Sequence, residues 1–265
     1  MRHLIFGTLA FFLALAGVAK SNASQLLGLP DEPLRAESFQ AKIDEYVDQI
    51  VARPSHERFV KLPAEPDLAW RPLKLDDSFN HDTVTWLRLG ANESLNRLLP
   101  GDHTYYGVPF EIADANGGKA KNCVALKSDR FPSVSDAITV IVGGKARTLF
   151  FLQACAWATW GDVRQYEVRF GDATTRTVDL LPAGLMRGQS ENINDWASPN
   201  VIENAVVRYV ALRDPLVQSG SPENLRYLYI LRWDNPEPGK DIASVVLRGG
   251  KGQSTIFLLA ITACP

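Results

Sequence analysis

Tryptophans in turn-rich stretches are the residues of this chain best suited to chemistry. Trp157 and Trp160 flank Ala158-Thr159, Gly161-Asp162 comes next, and Trp196 follows Asn194-Asp195. A flat indole packs against the C–H face of a sugar ring, and a neighbouring carboxylate or amide hydrogen-bonds its hydroxyls. The expected ligand contacts are therefore Trp157, Trp160, Asp162, Asp195 and Trp196. The competing reading is that these indoles cap the open ends of a core. Trp233 and Trp86 lie inside apolar runs and read as core, and Trp70 has no assignment.

Other chemistries find less. Beyond the N-terminal leader the histidines are His56, His81 and His103, none near a cysteine or in a Glu-x-x-His pattern. No Gly-x-Ser-x-Gly turn is present to raise a hydrolase nucleophile. Gly249-Gly250-Lys251-Gly252-Gln253-Ser254 lacks the spacing of a phosphate-cradling loop and reads as a strand-to-strand connection. Carboxylates are plentiful, but no pair stands out as the acid and base of a glycosidase. The expectation is a non-enzyme with no cofactor. One loop, with Asp76, Asp77, Asn80 and Asp82, crowds oxygen ligands and could hold a structural Ca²⁺. It lacks helix–loop–helix spacing, and Asp and Asn are ordinary turn residues.

Arg2, the apolar stretch Leu4–Val18 and Ser21-Asn22-Ala23 read as a secretory signal peptide, residues 1–23, cleaved after Ala23. The apolar stretch is short for a membrane span, no later stretch could span one, and no cysteine follows it to take a lipid. The chain carries 28 basic and 30 acidic residues. Losing Arg2 and Lys20 makes it more acidic, and with no basic block nucleic-acid binding is not expected. The protein is expected outside the cytoplasm, secreted or in the periplasm or cell envelope. Three cysteines then allow one disulfide with one thiol left over. Cys123 with Cys155 is one possible pairing, and three small buried thiols, Cys264 included, is the other reading.

The elements that must position these loops are strands. Residues 24–72 hold one amphipathic helix, Glu37–Val51, with Phe39, Ile43, Tyr46, Val47, Ile50 and Val51 at helical spacing. Arg53-Pro54 ends it, and a proline-rich extended linker follows. From about Leu73 the texture changes to short β-favouring runs split by turns. These are Leu73–Leu75, Val84–Leu89, Tyr105–Ile112, Cys123–Leu126, Ala137–Val142, Thr148–Ala156, Gln165–Phe170, Arg176–Leu181, Val206–Leu212, Tyr227–Trp233, Ile242–Leu247 and Ile256–Thr262. Gly107 and Pro109 make Tyr105–Ile112 an edge or bulged strand. Gly143-Gly144 and Gly171–Thr174 are hairpin signals. The pattern predicts an all-β chain, an antiparallel β-sandwich over residues 73–265.

Several stretches also resemble a known family. They are Leu98-Leu99-Pro100-Gly101 with Gly107–Ile112, Leu149–Ala154 leading to Trp157, and Tyr166–Phe170 with Gly171-Asp172. Trp233-Asp234-Asn235-Pro236-Glu237-Pro238-Gly239-Lys240-Asp241-Ile242 and the closing Leu258–Thr262 complete the set. Together they resemble the galactose-binding-like jelly-roll domains related to carbohydrate-binding modules found with bacterial glycoside hydrolases. The resemblance covers about Leu73 to Thr262. It implies a jelly-roll sandwich, export, and non-catalytic binding of a polysaccharide or glycoconjugate. The alternative is a cell-envelope scaffold whose N-terminal helix docks on a partner protein.

Overall fold

The structure, a computed structural model, describes residues 69–83, 100–184, 190–197, 207–212 and 226–265. The chain divides into two compact units, Met1–Lys42 and Ile43–Pro265, and every described residue lies in the second. The expected signal peptide, helix Glu37–Val51 and strand Val84–Leu89, and the expected linker up to residue 68, lie outside the described residues; Arg71–Pro72, expected at the end of the linker, form a strand, and Leu73–Leu75, expected as a strand, do not.

The described residues build strands and two short 3-10 turns, Asp76–Ser78 and Asn116–Gly118. The strands are β1 (Arg71–Pro72), β2 (Gly101–Tyr105), β3 (Val108–Ile112), β4 (Val124–Ala125), β5 (Ala137–Ile141) and β6 (Thr148–Ala156). Then come β7 (Arg164–Phe170), β8 (Thr175–Leu180), β9 (Val207–Leu212), β10 (Arg226–Asp234), β11 (Ile242–Arg248) and β12 (Thr255–Cys264). The larger sheet runs β1-β12-β6-β10-β9, with β4 also on β12; the smaller runs β5-β11-β7-β8, and β2-β3 is a separate hairpin. All the ladders between these strands are antiparallel.

β6 sits in the middle of the larger sheet, and all nine of its residues are buried. Strand residues alternate between faces, so both faces of β6 must be covered. Leu149, Phe151 and Cys155 join the core shared with the smaller sheet, beside Tyr166, Val168, Val245 and Leu247. Phe150, Leu152, Ala154 and Ala156 face a second core with Val108, Phe110 and Ile112 of the β2-β3 hairpin. The molecule thus has a second apolar layer outside its sandwich.

β12 serves both cores too, with a change of phase. Ile256 and Leu258 enter the inter-sheet core, and Ile261 and Ala263 enter it further along. Leu259 and Ala260 both face the outer core. The register against β6 slips between Leu258 and Ala260. A bulge places two successive residues on one side and flips the parity beyond it.

Two connections differ from the sequence expectation. Gly143-Gly144 does not close a hairpin: β5 pairs with β11 in the smaller sheet, whereas β6 lies in the larger. The two glycines, at φ 63° and 105°, turn the chain from one layer to the other. Tyr105–Ile112 is not one interrupted strand but two paired ones, turned at Tyr106-Gly107 with φ 53° and 79°. Positive φ at both central residues is what a type I′ two-residue hairpin requires. Gly171–Thr174 does join paired strands, β7 and β8. The last three strands alternate between layers: β10 and β12 flank β6, and β11 lies between β5 and β7.

The Asn-Pro-x-Pro-Gly-Lys run after β10 holds the layer crossing in place. Asn235 is buried; its Nδ2 donates to Ala146 O at 2.8 Å and its Oδ1 accepts from Glu237 N at 2.8 Å. Lys240 Nζ then reaches Asp172 Oδ2 at 2.8 Å, tying the loop to the β7-β8 hairpin. Lys240, Thr174 and the local backbone hold the Asp172 carboxyl far below its usual range.

The cysteines are all free and buried. The pairing Cys123–Cys155 does not form: Cys155 enters the inter-sheet core, whereas Cys123 and Cys264 lie in the outer one. Burial pushes the thiols of Cys123 and Cys155 up.

Gln153 is the one polar residue β6 sends toward the inter-sheet core, and it is fully buried. Tyr166 Oη donates to Gln153 Oε1 at 2.6 Å across the two sheets. Burial also pushes the Tyr166 phenol up, keeping it a neutral donor. Tyr166→Phe removes that donor and leaves a buried acceptor unpaired, so it should cost about 1–3 kcal/mol in urea unfolding. Adding Gln153→Met to Tyr166→Phe removes the orphan and should recover most of the loss. Equal destabilisation by the single and double variants would contradict this coupling.

Candidate functional site

The candidate site is one end of the sandwich, where β6 leaves the core. Trp157, the first residue past β6, has φ 55°. That conformation is strained for a bulky side chain and survives only where its surroundings enforce it. Here the indole is half-buried against the outer core, 6.1 Å between centroids from Phe131, and the Arg130 guanidinium lies 5.5 Å over its ring. Arg on an indole face is a favourable cation–π arrangement.

The loop then runs 157–163, and its backbone is gripped at successive residues. Ala158 N donates to Asp195 Oδ2 at 3.1 Å and Thr159 N to Ser254 Oγ at 2.8 Å. Gly184, at φ 57°, lies so close that a Cβ there would sit 3.0 Å from Trp160 N. Asp162 Oδ2 accepts from Gln253 N at 2.8 Å, Ser254 N at 3.0 Å and Ser254 Oγ at 3.1 Å. One carboxylate oxygen thereby fixes the chain entering β12.

The facing loop, Gly249–Ser254, is held from two sides. Asp129 Oδ2 accepts from Gly252 N at 3.0 Å. Gly252 has φ 99°, and a Cβ on it would fall 2.4 Å from Asp162 Oδ1. Arg164 is buried beneath; its Nη2 donates to Ser254 O and its Nη1 to Val163 O, each at 3.0 Å. Burial lowers the Arg164 pKa and outweighs the opposing effect of the Asp162 charge. At the tip, Arg130 Nη2 donates to Gln253 Oε1 at 3.0 Å.

The residues expected from sequence take different places on this rim. Trp160 is 60% exposed, and Val163, three residues on, is exposed too. Trp157 is half-buried. Trp196 is only 5% exposed and packs in the outer core, with the Arg226 guanidinium 4.6 Å over its ring. Its backbone explains the position: Trp196 N donates to Cys155 O and Tyr227 N to Trp196 O, each at 2.7 Å. Asp195 sits against the end of β6 and spends its carboxylate on Ala158 N and Ala197 N. Asp162 spends its own on the 253–254 backbone. The two aspartates therefore act as braces, and Trp160 is the indole that the loops present.

The oxygen-rich loop also finds a structural use. Asp76 and Asp77 start the 3-10 turn, and Asn80 pairs through Oδ1 and Nδ2 with the backbone of Ala125. Among the described residues no three of His, Cys, Asp and Glu gather into a metal-holding set.

Asp129, Arg130, Gln253 and Ser254 complete the rim and have no local signature in the sequence. The glycine run 249–252 was the only visible sign of that loop. No family model and no curated protein matches the chain.

Asp162→Ala should free the Gln253 and Ser254 amides. Hydrogen exchange at those two amides should rise at least tenfold, and stability should fall by about 1–2 kcal/mol. Unchanged exchange there would show that Asp162 does not hold the loop.

Proposed function

We propose that this chain is a non-catalytic glycan-binding protein that meets its ligand at the Trp160 rim. It acts outside the cytoplasm, secreted or in the envelope, and needs no cofactor. The sandwich is read as a galactose-binding-like jelly roll, on the motifs that resemble that family. The observation that carries the reading is Trp160: a large apolar ring, 60% exposed, on a loop braced at Ala158, Thr159 and Asp162. A loop backbone braced before binding loses little conformational entropy on contact. A sugar covering about 100 Å² of indole contributes roughly 2.5 kcal/mol at ~25 cal/mol per Å². With a few hydrogen bonds this reaches about −4 kcal/mol, a Kd near ~1 mM. Such an affinity suits a polymer that offers many repeats of one unit.

Affinity electrophoresis of the exported chain through gels holding single polysaccharides tests the proposal. At least one polysaccharide should retard the protein, and Trp160→Ala, still folded by circular dichroism, should migrate freely. Free migration of the folded wild-type chain in every gel would move the reading to an envelope scaffold that binds protein. A pull-down with and without residues 24–70 would then follow.

A further inference from the structure

We propose that the ligand of the Trp160 rim is an acidic saccharide, bearing a uronate carboxylate or a sulfate ester, read by Arg130 and Lys251. This inference rests on the glycan-binding reading of the same rim and names its ligand class.

Among the acids of the rim, Asp162 accepts three hydrogen bonds from Gln253 and Ser254, and Asp129 accepts from Gly252 N. Asp195 is taken by Ala158 and Ala197, and Asp136 pairs with Lys127 Nζ at 2.8 Å. These carboxylates are committed to holding loops. Among the described residues neither cation at the tip, Arg130 or Lys251, is paired with a carboxylate. Arg130 is exposed; its Nη2 donates to the neutral Gln253 amide and its guanidinium lies 5.5 Å over the Trp157 ring. Lys251 is exposed at the tip of the 249–254 loop and forms no ion pair among the described residues.

The loops that carry the two cations are hydrogen-bonded to the loop that carries Trp160. Gln253 receives Arg130, and its neighbour Ser254 receives Thr159 N, the residue before Trp160. Lys251 precedes Gly252, whose amide is fixed by Asp129, the residue before Arg130. With its guanidinium 5.5 Å over the Trp157 ring and Nη2 donating to Gln253, Arg130 keeps further N–H groups for an oxyanion. A guanidinium fork matches a carboxylate or sulfate in two parallel hydrogen bonds. A neutral sugar offers it only hydroxyls.

The test uses matched polymers in affinity gels at low salt. Polygalacturonate is compared with its methyl ester, which has the same backbone without the charge, and carrageenan with agarose for sulfate. Retention by one acidic polymer, lost on its neutral counterpart, is expected. Arg130→Gln and Lys251→Gln should each weaken it roughly tenfold, as loss of a charge-assisted hydrogen bond does, with Arg130→Lys keeping part of it. Lys251→Gln touches no hydrogen bond that holds the rim, so its effect is separable from folding. Equal retention by charged and neutral polymers, indifferent to Arg130 and Lys251, would overturn this inference and leave the glycan reading standing. Retention by the acidic polymer unchanged in Trp160→Ala would also overturn it, since charge alone would then suffice. No retention in any gel would remove both.

Discussion

Burial of β6 on both faces is the constraint on which the rest of the structure depends. A strand that shows apolar side chains to both sides cannot rest at the surface of a two-layer sandwich. The smaller sheet covers one side; the β2-β3 hairpin, Trp196, Phe131 and Trp157 cover the other. Deleting one large aromatic from such a site costs about 3–5 kcal/mol, a sizeable share of the total stability of a domain. β12 feeds both cores as well, and its bulge at Leu258–Ala260 shifts its register against β6 and reverses which residues face which core.

The position of the candidate site follows from where β6 ends. The chain leaves a fully buried strand at Ala156 and must reach β7 in the other sheet within the residues 157–163. A short crossing between layers exposes backbone donors at a dry edge, and buried amides need partners. Asp195 and Ser254 supply them in the crossing, and Asp162 does so for the Gln253 and Ser254 amides of the facing loop. With those groups serving the backbone, the outside of the rim presents Trp160 and Val163 together with the exposed Asp129, Arg130, Lys251 and Gln253. The chemistry of the surface is thus the remainder of a structural solution.

The strands were legible because their patterns are local. The run Thr148–Ala156 matches β6 in full, and the alternation in Gln165–Phe170 and Arg176–Leu181 marked β7 and β8 to within a residue. Which strand pairs with which was not legible. Alternation fixes the face of a residue, not its neighbour, so Gly143-Gly144 looked like a hairpin when it is a change of layer. Tyr106-Gly107 lacks the usual Asn-Gly turn signal, and the Pro109 after it masked a strand start. The site divided the same way. Trp157, Trp160 and Asp162 were visible as a cluster in one loop. Their braces were not, since Asp129 to Gly252 spans 123 residues and Asp162 to Gln253 spans 91. Trp196 read as a loop residue because nothing in its neighbourhood shows that Cys155 and Tyr227 draw its backbone onto the sheet.

The most direct measurement of the central claim is a titration of the ¹⁵N-labelled chain with oligogalacturonate, following the indole Nε1–H signals. Loss of one signal in Trp160→Ala assigns that resonance. The account predicts that the Trp160 signal moves progressively and saturably, while the signals of buried Trp196 and strand-borne Trp233 stay in place. A titration that shifts Trp196, or leaves Trp160 unmoved while the sugar binds elsewhere, would contradict it.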